Sequence, residues 1–120
     1  MQLVFLLLLV LSVDIGPVFD EYDTRISIKQ ENERLDNYAI QLQYSPSSRA
    51  LIVVYAENKK TAASVKARAR RALKYLVRTR GVDPARVAWR YEAVCRENLI
   101  ILFHLYPDQA DPVRDSKCLR

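Results

Sequence analysis

The residues Ala50 to Ala56, Ala-Leu-Ile-Val-Val-Tyr-Ala, constrain this chain more than any other segment. They form a nearly unbroken apolar run rich in β-branched residues, which fits a strand buried on both faces and lying inside a sheet. A strand of that kind needs neighbours on both edges and cover above and below. At 120 residues the chain has room for one domain and one such sheet.

The flanking segments supply the other layers. Gln30 to Tyr44 lacks Pro and Gly and sets Leu35, Ala39 and Leu42 on one helical stripe, with Tyr38 beside it. Ser45-Pro46 ends that helix, because proline disfavours the α conformation in the residue before it. A second helix is predicted from Thr61 to Arg80. At 3.6 residues per turn it gathers Ala62, Val65, Ala69, Ala72, Leu73 and Leu76 on one face. Its other face carries Lys66, Arg70, Arg71, Lys74 and Arg78. Gly81 is placed to cap its C-terminus in the left-handed conformation.

Strands are predicted at Arg25 to Ile28, where residues alternate, at Val87 to Tyr91, and at Asn98 to Tyr106. Phe19 to Asp23 reads as a linker or first edge, and Glu92 to Glu97 as a polar connection. The expected fold is an α+β two-layer sandwich in the order β-α-β-α-β-β, with both helices on one face of a mixed sheet.

The expected boundaries are a leader at 1–17, the domain at 18–107 and a loose tail at 108–120. The apolar block Leu3 to Val13, broken only by Ser12, is too short to span a bilayer, which takes about 20 residues. It matches a signal-peptide core in length, although no Lys or Arg precedes it and no Ala-x-Ala site follows. Export or membrane association through the leader is the expectation, and a buried first strand is the alternative. Cys95 and Cys118 are too few for structural zinc alongside the single His104, and they are candidates for a disulfide in an exported protein.

The charge is unevenly spread. Lys59 to Arg80 holds nine Lys or Arg and no Asp or Glu, which exceeds the net charge of +5 for the whole chain. Such a face attracts polyanions, and the attraction fades with salt. No aromatic row is interleaved with these bases along the sequence, so nucleic acid is the weaker reading. His104 has no recognisable catalytic partner and is expected to pack at a sheet face. Glu31 and Glu33 fall at a helix start, where acids complement the helix dipole. The chain therefore reads as a non-enzyme without a cofactor.

Specific residues carry a family resemblance. Leu35-Asp36-Asn37-Tyr38-Ala39, the Ala50–Ala56 strand, Arg71-Ala72 ahead of Tyr75-Leu76-Val77, and Gly81-Val82-Asp83-Pro84-Ala85-Arg86-Val87 together resemble the OmpA-like C-terminal domain. Phe19-Asp20-Glu21-Tyr22 and Arg96-Glu97-Asn98-Leu99 are similar to motifs of a branch of small exported bacterial proteins in that family. The resemblance covers Val18 to Pro107 and implies a non-catalytic envelope domain that is periplasmic or associated with the outer membrane.

Peptidoglycan-binding members of the family grip diaminopimelate between an Asp and an Arg. Arg71 matches that Arg. The Asp falls near Ala56, with Glu57 one residue away, and the family's Gly is replaced within Asn58-Lys59-Lys60. Glu57, Lys60, Arg68 and Arg71 are thus the ligand-binding candidates that the resemblance implies. The expected partner is peptidoglycan or another anionic envelope polymer. The alternative is a structural or protein-interaction module that has lost this ligand.

Overall fold

A computed structural model describes residues 17–112. The elements run β1 (Val18–Asp23), α1 (Ile28–Tyr44), β2 (Arg49–Ala56), α2 (Ala62–Lys74), β3 (Val87–Val94) and β4 (Leu99–Leu105). Short 3₁₀ turns at Lys59–Thr61 and Pro84–Arg86 lead into α2 and β3. The four strands form one mixed sheet in the order β1-β4-β2-β3. The β1–β4 and β4–β2 pairs are antiparallel and β2–β3 is parallel. A parallel neighbour requires a crossover, and α2 is that crossover. The fold is the expected α+β sandwich, with β2 and β4 as its inner strands.

The first strand differs from expectation. It occupies Val18–Asp23, in the segment read as a linker or first edge, while Arg25 to Ile28 turns into α1. Local hydrogen bonds explain the difference. Asp23 Oδ1 accepts from the Arg25 backbone at 2.7 Å, and Ser27 caps the helix. Ser27 Oγ accepts from the Gln30 backbone N–H at 3.1 Å, and the Gln30 side chain accepts from the Ser27 N–H at 3.0 Å. This reciprocal box satisfies two donors that a helix start otherwise leaves unpaired, and it outweighs four residues of weak alternation.

The second helix follows the predicted face. Val65, Ala69, Ala72 and Leu76 are buried, and Ala62 and Leu73 pack against the same core. Its last turn widens to a π-helix over Tyr75–Thr79 before Gly81, at φ 73°, reverses the chain. β3 runs three residues beyond its predicted end, to Val94, because Ala93 and Val94 stay in register with Tyr55 and Ala56 past a bulge.

Burial divides the core in two. On the helix face, Ala50, Ile52, Val54, Ile100 and Leu102 meet Leu35, Tyr38, Leu42, Val65, Ala69 and Leu76. On the back face, Leu51, Val53, Tyr55, Leu99, Ile101, Phe103 and Leu105 form a second apolar group. Residues 109–112, expected within a loose tail, are tied down. Arg49 Nη2 donates to the Gln109 carbonyl at 3.2 Å and pairs with Asp111, and Arg90 Nη2 donates to the Pro112 carbonyl at 2.6 Å. The leader and Cys118, with any Cys95–Cys118 pairing, lie outside the described residues.

Candidate functional site

Three chain segments converge at one end of the sheet: the end of β1, the loop after β2, and the connection from β3 to β4, which passes over the end of β2. Asn98 fastens them together. Its Oδ1 accepts from the Glu57 backbone N–H at 2.6 Å and from the Thr61 hydroxyl at 2.9 Å, and its carbonyl accepts from the Thr24 N–H at 3.2 Å. Ala56 adds a bond by accepting from the Cys95 N–H at 2.7 Å. Asn58 and Thr61 close a second capping box around the turn that starts the second helical segment.

The convergence leaves a cleft of about 380 Å³ lined by Asp23, Thr24, Arg25, Glu57, Arg96, Glu97 and Asn98. Three carboxylates and two guanidiniums share this space. Arg25 donates to Asp23 through both its side chain, at 2.9 Å, and its backbone. These bonds hold the Asp23 carboxyl below its ordinary range. Asp23 in turn raises the Arg25 guanidinium, with smaller contributions from Glu97 and Glu57. The cleft therefore offers fixed charge of both signs at neutral pH.

Glu57 is the one ligand-binding candidate of the four that lines this cleft. Arg71 lies elsewhere, beside a smaller depression of about 240 Å³ shared with Lys74, Tyr75, Arg78 and Thr79. Its guanidinium is also engaged: Nη1 donates to Glu31 at 3.1 Å and Nη2 to the Asn32 side chain. Arg68 turns inward as well, with Nε on Glu31 at 2.7 Å, Nη1 on the Thr24 carbonyl and Nη2 on the Ile26 carbonyl. Lys60 is exposed on the 3₁₀ turn. The expectation that Arg71 points outward with the basic face is thus corrected. It and Arg68 face α1, because a buried carboxylate there demands cationic partners.

That carboxylate is Glu31, which is fully buried. Tyr22 Oη donates to its Oε2 at 2.7 Å while Arg68 and Arg71 hold Oε1. Burial, then the adjacent Glu31 charge, push the Tyr22 hydroxyl far above its ordinary range, so it stays a donor. Helix-dipole complementarity alone does not account for this residue. The available signal was periodicity, since Glu31, Leu35, Tyr38 and Leu42 fall on one helical stripe, all buried.

The remaining basic residues behave as predicted in part. Arg70, Lys74 and Arg78 are exposed. Lys66 lies over the Tyr91 ring at 4.7 Å and Arg70 over Trp89 at 5.6 Å, so β3 places two aromatics beside the basic helix that no sequence spacing disclosed. His104 is buried at the opposite end of the sheet, with Nε2 2.8 Å from Ser48 Oγ. Arg86 donates to Ser48 Oγ and to the carbonyls of Leu42, Ser45 and Ser48. Burial first and the Arg86 charge second lower the imidazole. A histidine depressed by a cation beside a buried serine makes a poor general base, and this group instead closes the C-terminal end of α1.

Among the described residues no group of His, Cys, Asp and Glu has metal-site geometry, and no helix is long and apolar enough to cross a membrane. Comparison with protein-family models finds no match, and comparison with curated proteins finds none either.

Proposed function

We propose that this chain is a non-catalytic recognition domain of the bacterial cell envelope, of the OmpA-like kind, that takes a zwitterionic amino-acid group in the cleft around Glu57. Peptidoglycan stem peptides carry such groups, with ammonium and carboxylate on one residue. The observation that carries the reading is the juxtaposition of Glu57 and Glu97 with Arg25 and Arg96 in one cleft. A carboxylate suits the ammonium, and a guanidinium suits the carboxylate through its planar fork. The site uses the loop after the central strand but draws its cations from the turn after β1 and from the β3–β4 connection, since Arg71 is occupied by Glu31 and Asn32. Export to the periplasm or outer membrane belongs to the same reading.

Sedimentation with purified peptidoglycan tests it. Wild-type protein should pellet with the wall, Glu57→Gln and Arg96→Ala should each reduce retention several-fold, and Arg71→Ala, where it folds, should leave retention unchanged. Absence of retention, or retention indifferent to Glu57 and Arg96, counts against the cleft. A second reading is favoured by the pairing of Arg70 with Trp89 and Lys66 with Tyr91. That face suits an anionic polymer, and the reading predicts retention that falls steeply with salt and with Arg70→Ala.

A further inference from the structure

The edge strand β3 and the helix α2 build a repeating surface together. Trp89 and Tyr91 are alternate residues of β3, so their rings share one side of the sheet, where both pack against the core beneath the helices. α2 sets Arg70 over the Trp89 ring at 5.6 Å and Lys66 over the Tyr91 ring at 4.7 Å. The two cations are four residues apart, a step of about 6 Å along a helix. The two rings are two residues apart, a step of about 7 Å along a strand. The steps match, and the seam presents the same unit twice, a half-buried ring with a cation beside it.

The helix continues the cationic half of this pattern. Lys74 follows Arg70 by four residues and Arg78 follows Lys74 by four, and the last two line the same depression. Arg70, Lys74 and Arg78 are exposed. Glu31 is taken by Arg68 and Arg71 and Glu92 by Arg90, so no carboxylate among the described residues pairs with Lys66, Arg70, Lys74 or Arg78.

A nucleotide has the same two halves, a flat base and a phosphate. Stacking of a base on an aromatic ring is stronger than the contact of an exposed cation with that ring, so a base can take the cation's place and release it to a neighbouring phosphate. A duplex keeps its bases stacked on one another, whereas a single strand offers them to the protein. An anionic polymer without bases would use the cations and leave Trp89 and Tyr91 idle.

We infer that the α2–β3 seam binds single-stranded nucleic acid, with bases at Trp89 and Tyr91 and phosphates along Lys66, Arg70, Lys74 and Arg78; this rests on the second reading of the basic face and is independent of the cleft.

Trp89 is the only tryptophan of the chain, so its fluorescence reports directly on this face. The full chain is titrated with oligothymidylate, with the corresponding duplex, and with inorganic polyphosphate of matched charge. The single strand should quench Trp89 and bind about tenfold more tightly than polyphosphate, as one stacked base allows. Its affinity should fall with salt at a logarithmic slope of about −3, four contacts at roughly −0.7 each. By anisotropy of a labelled strand, Arg70→Ala should weaken binding several-fold and make the slope shallower by about 0.7. Trp89→Leu keeps an apolar side chain on the core; it should weaken binding about tenfold at unchanged slope, and Tyr91→Leu serves the same purpose where circular dichroism shows that Trp89→Leu does not fold. Equal affinity for polyphosphate, tighter binding of the duplex, or affinity indifferent to both ring substitutions would overturn the inference and leave the anionic-polymer reading standing. Failure to bind either the strand or polyphosphate would remove both.

Discussion

Two regions of this domain are assembled from the same ingredients and come to opposite ends. Around Glu31, one carboxylate meets two guanidiniums and a tyrosine, and every group spends its hydrogen bonds on another. Around Glu57, carboxylates and guanidiniums line an open cleft whose Arg25 is largely exposed. The closed cluster ties the start of α1 to the middle of α2 and to β1, while the open one keeps its charges at the surface, where Arg25 pairs with Asp23. Residue type therefore does not separate a structural arginine from a binding one. Burial does.

The largest effect should come from breaking the closed cluster. Glu31→Ala strands Arg68 and Arg71, whose side chains are 17% and 31% exposed, and leaves the Tyr22 hydroxyl without its acceptor. Removing one member of a buried ion pair costs about 3–5 kcal/mol, and urea unfolding should show it as a lower midpoint at unchanged slope. A loss under about 1 kcal/mol would mean that the cluster behaves as a surface pair, and the contrast would disappear.

The two arginines should then rank by engagement. Arg68 bonds Glu31 and two backbone carbonyls, whereas Arg71 bonds Glu31 and Asn32 and is more exposed. Arg68→Ala should cost about 2–3 kcal/mol and Arg71→Ala less, by the same denaturation measurement. Arg71→Ala with undiminished stability and lost wall retention would reverse the assignment and return this residue to the binding role that the family resemblance implies.

Much of the scaffold was legible from residues alone. The apolar run of β2, the stripe of α2 and Gly81 each reflect one dominant local force, so pattern and structure agree. The first strand was misplaced because a capping box at Ser27, which depends on side-chain geometry, competes with a faint alternation. The candidate site was legible only in part. Glu57 could be picked out by its position after the central strand, but Arg25, Arg96 and Asn98 enter through the pairing of β1 with β4 and the connection from β3 to β4 across the end of β2, contacts far apart along the chain. Arg71 was misjudged because helical periodicity, which places a side chain on a face, does not reveal that a buried acid on the neighbouring helix will claim it.

A third, smaller effect distinguishes the far end of the sheet from both clusters. The His104 imidazole is lowered from 6.5 by burial and by Arg86, so the unfolded chain takes up a proton before the folded one does. Its contribution to stability is intact above pH 6.5 and declines as pH falls through that value. The slope should stay below about 1.4 kcal/mol per pH unit, the limit for one proton. His104→Gln should flatten the profile between pH 7 and 5 in urea titrations at fixed ionic strength. A profile unchanged by the substitution would place the titrating group elsewhere.

The smallest effect on stability, and the one that bears most on function, belongs to Glu57→Gln. Glu57 is exposed, and its fixed contact is through the backbone N–H to Asn98, which the substitution preserves. Stability should stay within about 0.5 kcal/mol of wild type. The carboxylate charge is removed all the same, and an ammonium in the cleft loses a counter-ion that the isosteric amide cannot supply. Wall retention should therefore fall while the denaturation curve does not move, the reverse of what Glu31→Ala should do through lost structure. If Glu57→Gln instead destabilised the fold and left retention intact, Glu57 would join Glu31 among the structural acids.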